Sequence, residues 1–308
     1  MRLRKRLLVV MFSLVAVGVG TPATDAGAGT TARPVDPASS AAYARSGLGA
    51  APRKAGATVT VMSFNVCGGV CRRGEVDRTA SFAARTALRR KADVVLLQEL
   101  CYSQFRKVRS LLAAEGFSAR FAAQTHSPAC ARDDRRHGTG FGVAVLVRGR
   151  ATGTVVRHLP TRAGFEPRLM LGTTATVGGR RTFVAVVHLS PTRRAGLDRE
   201  LTVLAGELNR RTRGPVIVGG DFNAMPDHAQ MGRFYSAAAK GRGRFTELDE
   251  MRGGVASRGG APTFDLYHRK IDYVFASRRW FDRPSAAGIA TPMSDHRVYV
   301  GSFRTLRN

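Results

Sequence analysis

Lysine and acidic residues are what this 308-residue chain has little of. Lysine occurs only at Lys5, Lys54, Lys91, Lys107, Lys240 and Lys270, and 22 Asp and Glu stand against 49 Lys and Arg, giving a formal net charge of +27. An acidic chain is excluded. The other 43 basic residues are arginines, whose planar forks match phosphate oxygens, so an anionic partner is the first expectation. Enrichment of Arg, Ala and Gly by a biased genome composition is the competing reading. Long apolar runs are also missing: Leu7–Gly20 is shorter than the roughly 20 residues a spanning helix needs, and no later uninterrupted apolar stretch reaches that length. Internal repeats are absent, which speaks against a solenoid. With 44% hydrophobic residues the chain is not wholly disordered, and it can bury a sizeable core.

The N-terminus has the order of a secretory signal, with Arg2, Arg4, Lys5 and Arg6 before the apolar run and small residues at Ala26-Gly27-Ala28. Residues 1–28 are therefore expected to be removed on export. Their loss takes away four basic residues and Asp25 and leaves about +24, so the basic character is not a targeting artefact. Residues 29–57, rich in Ala, Gly, Pro, Ser and Thr, read as a flexible linker. The folded domain is expected over 58–308.

Four cysteines, Cys67, Cys71, Cys101 and Cys130, allow three pairings in an exported chain. Cys67–Cys71, across the flexible Gly68-Gly69-Val70, and Cys101–Cys130 are expected. The competing zinc reading has one C-x3-C and no second close pair.

Short apolar, β-branched runs at 58–64, 94–98, 141–147, 169–177, 182–188, 216–220, 271–276 and 298–303 predict strands. Helical spacing occurs at 76–91, 104–115, 193–212 and 228–240, and Leu197, Leu201, Leu204 and Leu208 form one apolar face. Several strands are apolar on both faces, as when two sheets pack together and helices cover the outside. An α/β sandwich follows.

Polar residues gather at the ends of these strands. Asn65 follows VMSF, Gln98 and Glu99 follow DVVLL, His188 follows VAVV, Asp221 and Asn223 follow VIVGG, Asp272 opens IDYVF, and Asp295-His296 precede the last strand. Each alone has a structural explanation, such as a turn former or a core histidine. Together they offer oxygen ligands for a hard divalent cation, two histidines for proton transfer and nearby arginines for an anion. Phosphate-ester hydrolysis suits that set.

FNVCGG at 64–69, LLQE at 96–99, VVHLS at 186–190, GGDFNAMPD at 219–227, KIDYVF at 270–275 and SDHRVYV at 294–300 resemble, in order and spacing, the endonuclease/exonuclease/phosphatase superfamily, the deoxyribonuclease I-like enzymes. The resemblance covers essentially all of 58–308. It implies a four-layer α/β sandwich, two packed mixed sheets flanked by helices, and phosphodiester cleavage with Mg²⁺ or Mn²⁺, Ca²⁺ being a candidate structural ion. By motif, Glu99 resembles the principal metal ligand with Asn65 beside it, and Asp295 the carboxylate that holds or positions a metal. His296 resembles the general base oriented by Asp272, and Asp221 with Asn223 the pair placing nucleophile and phosphate. His188 resembles the second histidine. Its partner is either Glu166, as a carboxylate against the imidazole, or Arg168, as a phosphate ligand.

The family's substrates are too varied for the fold to choose among them. A charge of about +24 favours nucleic acid through counterion release, and basic runs at 132–136, Arg193-Arg194, Arg210-Arg211 and 242–244 could line a groove. Anionic lipid or wall polymer is a further partner class. A secreted phospholipase C or sphingomyelinase-like enzyme is the first alternative, but Asp272 and His296 are only 24 positions apart and leave little room for an apolar hairpin. Trp280-Phe281 is the one candidate anchor there. A non-catalytic polyanion-binding module is the second alternative. Nothing implies a stable protein partner, and a monomer is expected.

Overall fold

The computed structural model describes residues 55–132, 135, 138–252 and 254–306. The expected signal peptide, most of the 29–57 linker and most of the basic run 132–136 lie outside these residues. In chain order the first strands are β1 (Ala55–Asn65), β2 (Val94–Cys101), β3 (Phe117–His126), β4 (Gly140–Arg148), β5 (Ala151–His158), β6 (Leu169–Val177) and β7 (Arg180–His188). They are followed by β8 (Val216–Asp221), β9 (Phe245–Glu247), β10 (Met251–Arg252), β11 (Val255–Ala256), β12 (Asp272–Ser277), β13 (Phe281–Ile289) and β14 (Val298–Leu306). The α-helices are α1 (Asp77–Arg89), α2 (Tyr102–Ala113) and α3 (Leu197–Arg211). Residues 55–57, at the end of the expected linker, already belong to β1, where Ala55 stands opposite Leu306.

Two six-stranded sheets carry the architecture, ordered β13-β14-β1-β2-β4-β3 and β5-β6-β7-β8-β12-β9. Strand alternation decides how they stack, because successive side chains point to opposite faces. In the first sheet Val59 and Val61, Val94 and Leu96, and Val143 and Val145 enter a core shared with Val184, Val186, Ile217 and Val274 of the second. Their neighbours Met62, Phe64, Val95, Leu97 and Leu146 face outward against α1 and α2. In the second sheet Val187, Val218, Tyr273 and Phe275 face away from the first sheet, toward α3. The result is four layers, with helices on both outer sides. It explains why these strands are apolar on both faces.

Each helix suits the layer it covers. α1 buries Ala80, Ala83, Ala84 and Ala87, which let it lie close to the sheet. α3 buries Leu197, Leu201, Leu204 and Leu208, each worth about 1.5–3 kcal/mol when fully removed from water. The helix expected over 228–240 does not form. That segment makes two short 3-10 turns, Ala229–Arg233 and Ala237–Ala239, with Ser236 in extended backbone between them. Its apolar spacing was a packing signal instead, since Met231, Phe234 and Tyr235 are all buried.

β3, β5 and β13, which no apolar run announces, are edge strands with mostly half-buried or exposed residues. An edge strand needs less apolar surface, and β13 tolerates Pro284 there. Both expected disulfides are present, with Cα–Cα distances of 5.2 Å for Cys67–Cys71 and 5.1 Å for Cys101–Cys130. With all four cysteines paired, the zinc reading falls.

The outer core of the second sheet centres on Phe275, whose ring lies 5.1–5.6 Å from those of Phe222, Phe234, Tyr235 and Tyr273. Phe275→Ala should cost about 3–5 kcal/mol of unfolding free energy, read by urea titration. A loss below about 1 kcal/mol would contradict this packing.

Candidate active site

Sheet register brings the strand-end residues together. In the second sheet, parallel pairing sets His188 opposite Asp221, and antiparallel pairing sets Asp221 opposite Asp272. Three neighbouring strands thus end in one row. Asp221 can reach it because two glycines precede it: a Cβ on Gly219 would meet Tyr273 O at 2.7 Å, and one on Gly220, at φ +143, would meet Val187 O at 1.9 Å. Only glycine lets β8 pass so near both neighbours.

The first sheet supplies the facing wall. Asn65 ends β1, paired with Gln98 of β2. Just beyond, the β2–β4 register shifts between Leu97 and Leu100, and Glu99 adopts a left-handed φ of 53°. Such a bulge re-aims a side chain. Asn65 Nδ2 donates to Glu99 Oε1 at 3.0 Å and to Asp221 Oδ2 at 3.2 Å, joining the two sheets. His296 enters from the turn before β14, where its N–H donates to Ser294 Oγ and that hydroxyl donates to Asn65 O. Its Nδ1 lies 2.9 Å from Asp272 Oδ2 and its Nε2 3.6 Å from Asp221 Oδ2. Phe264 packs on the ring at 4.8 Å.

The expected residues are placed unequally. Asn65, Glu99, His188, Asp221, Asp272 and His296 converge. Asn65 Oδ1 accepts the Cys67 N–H at 3.0 Å, and its Nδ2 faces the carboxylates. Asp295 sits at the rim, its Oδ1 3.3 Å from Ser294 Oγ and 3.7 Å from Cys71 Sγ. Asn223, at φ 50°, donates its N–H to Asp221 Oδ1 and its Nδ2 to Leu189 O, holding the loops after both strands. Of the two candidates beside His188, Arg168 takes the place. One of its terminal nitrogens is 3.0 Å from His188 Nδ1 and donates to Glu166 Oε1 at 3.0 Å, and no contact joins Glu166 to the imidazole. His188 Nδ1 must then accept, which leaves Nε2–H directed at Glu99 Oε1 (3.6 Å) and Asp221 Oδ2 (3.7 Å).

Several supports were not anticipated. Glu200, fully buried on α3, accepts from Thr161 Oγ1, Ser190 Oγ and Ser190 N at 2.7–2.8 Å, and Thr161 Oγ1 accepts from Arg168 N. Lys270, paired with Glu247, donates to Asp272 O, while the Asp272 N–H donates to Thr263 Oγ1. A signal for Glu200 did exist, since it falls on the apolar face of α3.

Burial and crowding set the electrostatics. Burial raises Glu99 against the Asn65 hydrogen bond. Asp221 is pushed up to about 7 by burial, with Asp272 and Glu99 adding repulsion and His296 opposing. Burial drops His188 well below its usual value, and the Arg168 and His296 charges lower it further. For His296 burial acts downward, but Asp272 and Asp221 outweigh it and hold the imidazolium up to about 10.

The profile of the Endonuclease/Exonuclease/phosphatase family matches residues 62–296. The chain belongs to that family. Family members are phosphoester-cleaving enzymes that generally use divalent metal ions, and the acidic and histidine grouping found here could hold one. Solved structures show the same fold. The human Nocturnin catalytic domain with bound sulfate anion is 21% identical, with a TM-score of 0.65 over 80% of this chain and 93% of that one. A family protein from Beutenbergia cavernae is 22% identical (TM-score 0.62, covering 80% and 72%), and truncated Caenorhabditis elegans TDP2 is 17% identical (TM-score 0.55, covering 80% and 97%). No curated protein sequence matches the chain significantly.

In ion-free protein, His296 keeps a proton that the unfolded chain gives up above about 6.5. Its contribution to stability is complete below that pH and is lost as pH rises through about 10. The raised Asp221 acts earlier, losing its contribution between 3.8 and about 7. Urea unfolding in EDTA should therefore show stability falling from pH 7 to 10, by at most about 1.4 kcal/mol per unit, and His296→Gln should flatten that window. An unchanged slope in the variant would take His296 out of the row.

Proposed function

We propose that the chain is a secreted, divalent-metal-dependent phosphodiesterase that hydrolyses nucleic acid, cutting internally. The observation that carries the reading is the convergence of Glu99, Asp221, Asp272, His188 and His296 at one mouth, with ligand atoms of Glu99, His188 and Asp221 within 4.8 Å of one another. This set fits a hard dication. Its carboxylates are desolvated and repel one another, and Asp272 Oδ1 is buried without a partner. Glu99 and Asp221 would hold Mg²⁺ or Mn²⁺, with Asp295 a further carboxylate whose charge acts on Glu99, and the ion would supply charge neutralisation at the phosphate and acidify water.

The chain's own residues divide the remaining work. A water between Asp221 Oδ2 and His296 Nε2 can give its proton to the imidazole while its oxygen attacks phosphorus and the bond to the leaving oxygen breaks. Asp272 at Nδ1 steadies the imidazolium that results. Neutralising the carboxylate row weakens the field that keeps His296 protonated, which frees it to act as a base near neutral pH. His188, neutral and fixed by Arg168, offers Nε2–H to a phosphate oxygen.

Export is supported by the N-terminal charge and apolar pattern and by two disulfides, which persist in oxidising compartments. Nucleic acid is favoured over lipid because the interval from Asp272 to His296 forms β12 and β13, and β13 is paired with β14. Phe281 is fully buried, and Trp280 packs on the core with its Nε1 donating to Thr212 O. The phospholipase C or sphingomyelinase-like alternative keeps one observation, exposed Leu266 and Tyr267 near Phe264.

Plasmid nicking by purified mature protein should need Mg²⁺ or Mn²⁺ and stop in EDTA. His296→Ala and Asp221→Ala should each lower turnover by about 10²-fold or more. Near wild-type turnover in both variants would sink the site assignment. Hydrolysis of sphingomyelin without DNA or RNA would move the reading to the lipid alternative, and metal-independent DNA binding without cleavage would move it to the binding module.

A further inference from the structure

On the two segments that buried Glu200 touches through Thr161 and through α3 lies a cavity of about 650 Å³, walled by residues 160–163 and by Arg193, Arg194, Gly196, Asp198 and Arg199. Arg162, Arg193, Arg194 and Arg199 line it, with one carboxylate, Asp198. That carboxylate lies 3.1 Å from His228 Nε2 and 3.7 Å from Arg193 Nε. Among the described residues, no carboxylate pairs with Arg162, Arg194 or Arg199. Three guanidinium groups that form no ion pair, from two separate segments, therefore share one concave space with a single carboxylate. The start of the 15-residue α3 also faces it through Gly196 and Asp198 and adds the positive end of a helix dipole.

Solvated arginines on a basic chain would need no fixed relation to the reacting centre. Here that relation is built in. Arg162 N–H donates to Ala195 O at 2.8 Å, locking the two walls together. Gly196, at φ +117, permits the approach, since a Cβ there would meet Pro160 O at 3.0 Å. Buried Glu200 ties the same walls to the site, holding Thr161 on one side and Ser190, just after His188, on the other. Thr161 Oγ1 in turn accepts from Arg168 N, and Arg168 touches His188. Arg193 follows His188 by five residues, a reach of at most about 18 Å, or about five steps of a strand rising ~3.4 Å per nucleotide.

We infer that this arginine pocket binds a non-scissile phosphate of a polynucleotide, a few nucleotides from the bond that is cut. The inference rests on the nuclease reading and deepens it: the substrate is a strand with several phosphates and not a small diester. Phe165, two-fifths exposed on the loop between Arg162 and Arg168, offers a ring on which an adjoining base can stack. A lipid headgroup would use the arginines but not that ring.

The test is binding of a fluorescein-labelled 12-mer single strand to the mature protein in EDTA, followed by anisotropy across a salt series. The variant Arg162→Ala/Arg194→Ala/Arg199→Ala is compared with Arg85→Ala/Arg90→Ala/Arg109→Ala, which removes the same charge from exposed positions on α1, at its C-terminal cap and on α2. The pocket variant should bind about ten- to a hundredfold more weakly at low salt, and its slope of log K against log salt should fall by about 2. The control should stay within about twofold of wild type. Equal losses in both variants, or none in either, would overturn the pocket, as would a pocket variant that loses binding to phosphatidylglycerol vesicles while keeping the oligonucleotide. Circular dichroism melting of each variant separates binding loss from unfolding. Plasmid cleavage is read on the same preparations. Pocket-dependent binding without cleavage would support the pocket and count against the catalytic reading alone. Cleavage with no difference between the variants would count against the pocket alone.

Discussion

The Asp221 carboxylate is a desolvated charge at the seam between two sheets, and most of the surrounding architecture serves to make that position tolerable. It is only 2% exposed, and burial disfavours its ionised form. It is held from three separate elements: by hydrogen bonds from the Asn65 amide of the other sheet and from the Asn223 N–H of the loop beyond, and by the charge of His296, 3.6 Å away on the turn before β14. Removing any one leaves a buried anion short of a partner. The strand ends of both sheets must therefore stay aligned, which the parallel pairs β1·β2 and β7·β8 accomplish.

A second group of buried polar contacts works at one remove. Lys270 and Glu247, 3% and 0% exposed, pair beneath Asp272, and the ammonium lies over the rings of Tyr299 at 4.0 Å and Tyr273 at 4.6 Å. A buried ion pair of this kind is a weak source of net stability, because desolvation offsets the attraction. Its value lies in registration. Lys270 fixes the Asp272 carbonyl and Thr263 fixes its N–H, so the carboxylate that orients His296 has little freedom to drift. Glu200 does the same for the His188 side.

How far the sequence foretold this depends on where each residue stands. The central strands were legible because both faces are apolar, and the strand-end polar residues because their motifs are compact. β3, β5 and β13 were not, since an edge strand carries little of the periodic signal. The 228–240 segment misled because Met231, Phe234 and Tyr235 have helical spacing but are buried from the first 3-10 turn and the link that follows it. At the site, residue identities could be read but orientations could not. Nothing in FNVCGG tells that Cys67 N–H claims the Asn65 oxygen, and nothing in GFEPRLML decides between Glu166 and Arg168. The first is a local turn of the backbone onto the side chain, two residues apart, and the second depends on a contact between neighbouring strands, from Arg168 to His188, 20 positions apart.

The charge excess needs the same local treatment. Many of the arginines do packing work: Arg148 lies over Phe117 at 4.6 Å, Arg180 over Trp280 at 5.2 Å, and Arg211 over Phe183 at 4.3 Å while also pairing with Glu207. A guanidinium is weakly hydrated and planar, so it can cover a ring and still keep its charge. Arginines used in this way raise the net charge without implying a partner, and a biased genome composition would supply them equally well. What separates Arg162, Arg194 and Arg199 from these is that they cover no ring, meet no carboxylate, and converge on a cavity whose walls are latched to His188. Net charge explains why a polyanion would approach this protein at all, and only arginines held in that state can decide where along the strand it is gripped.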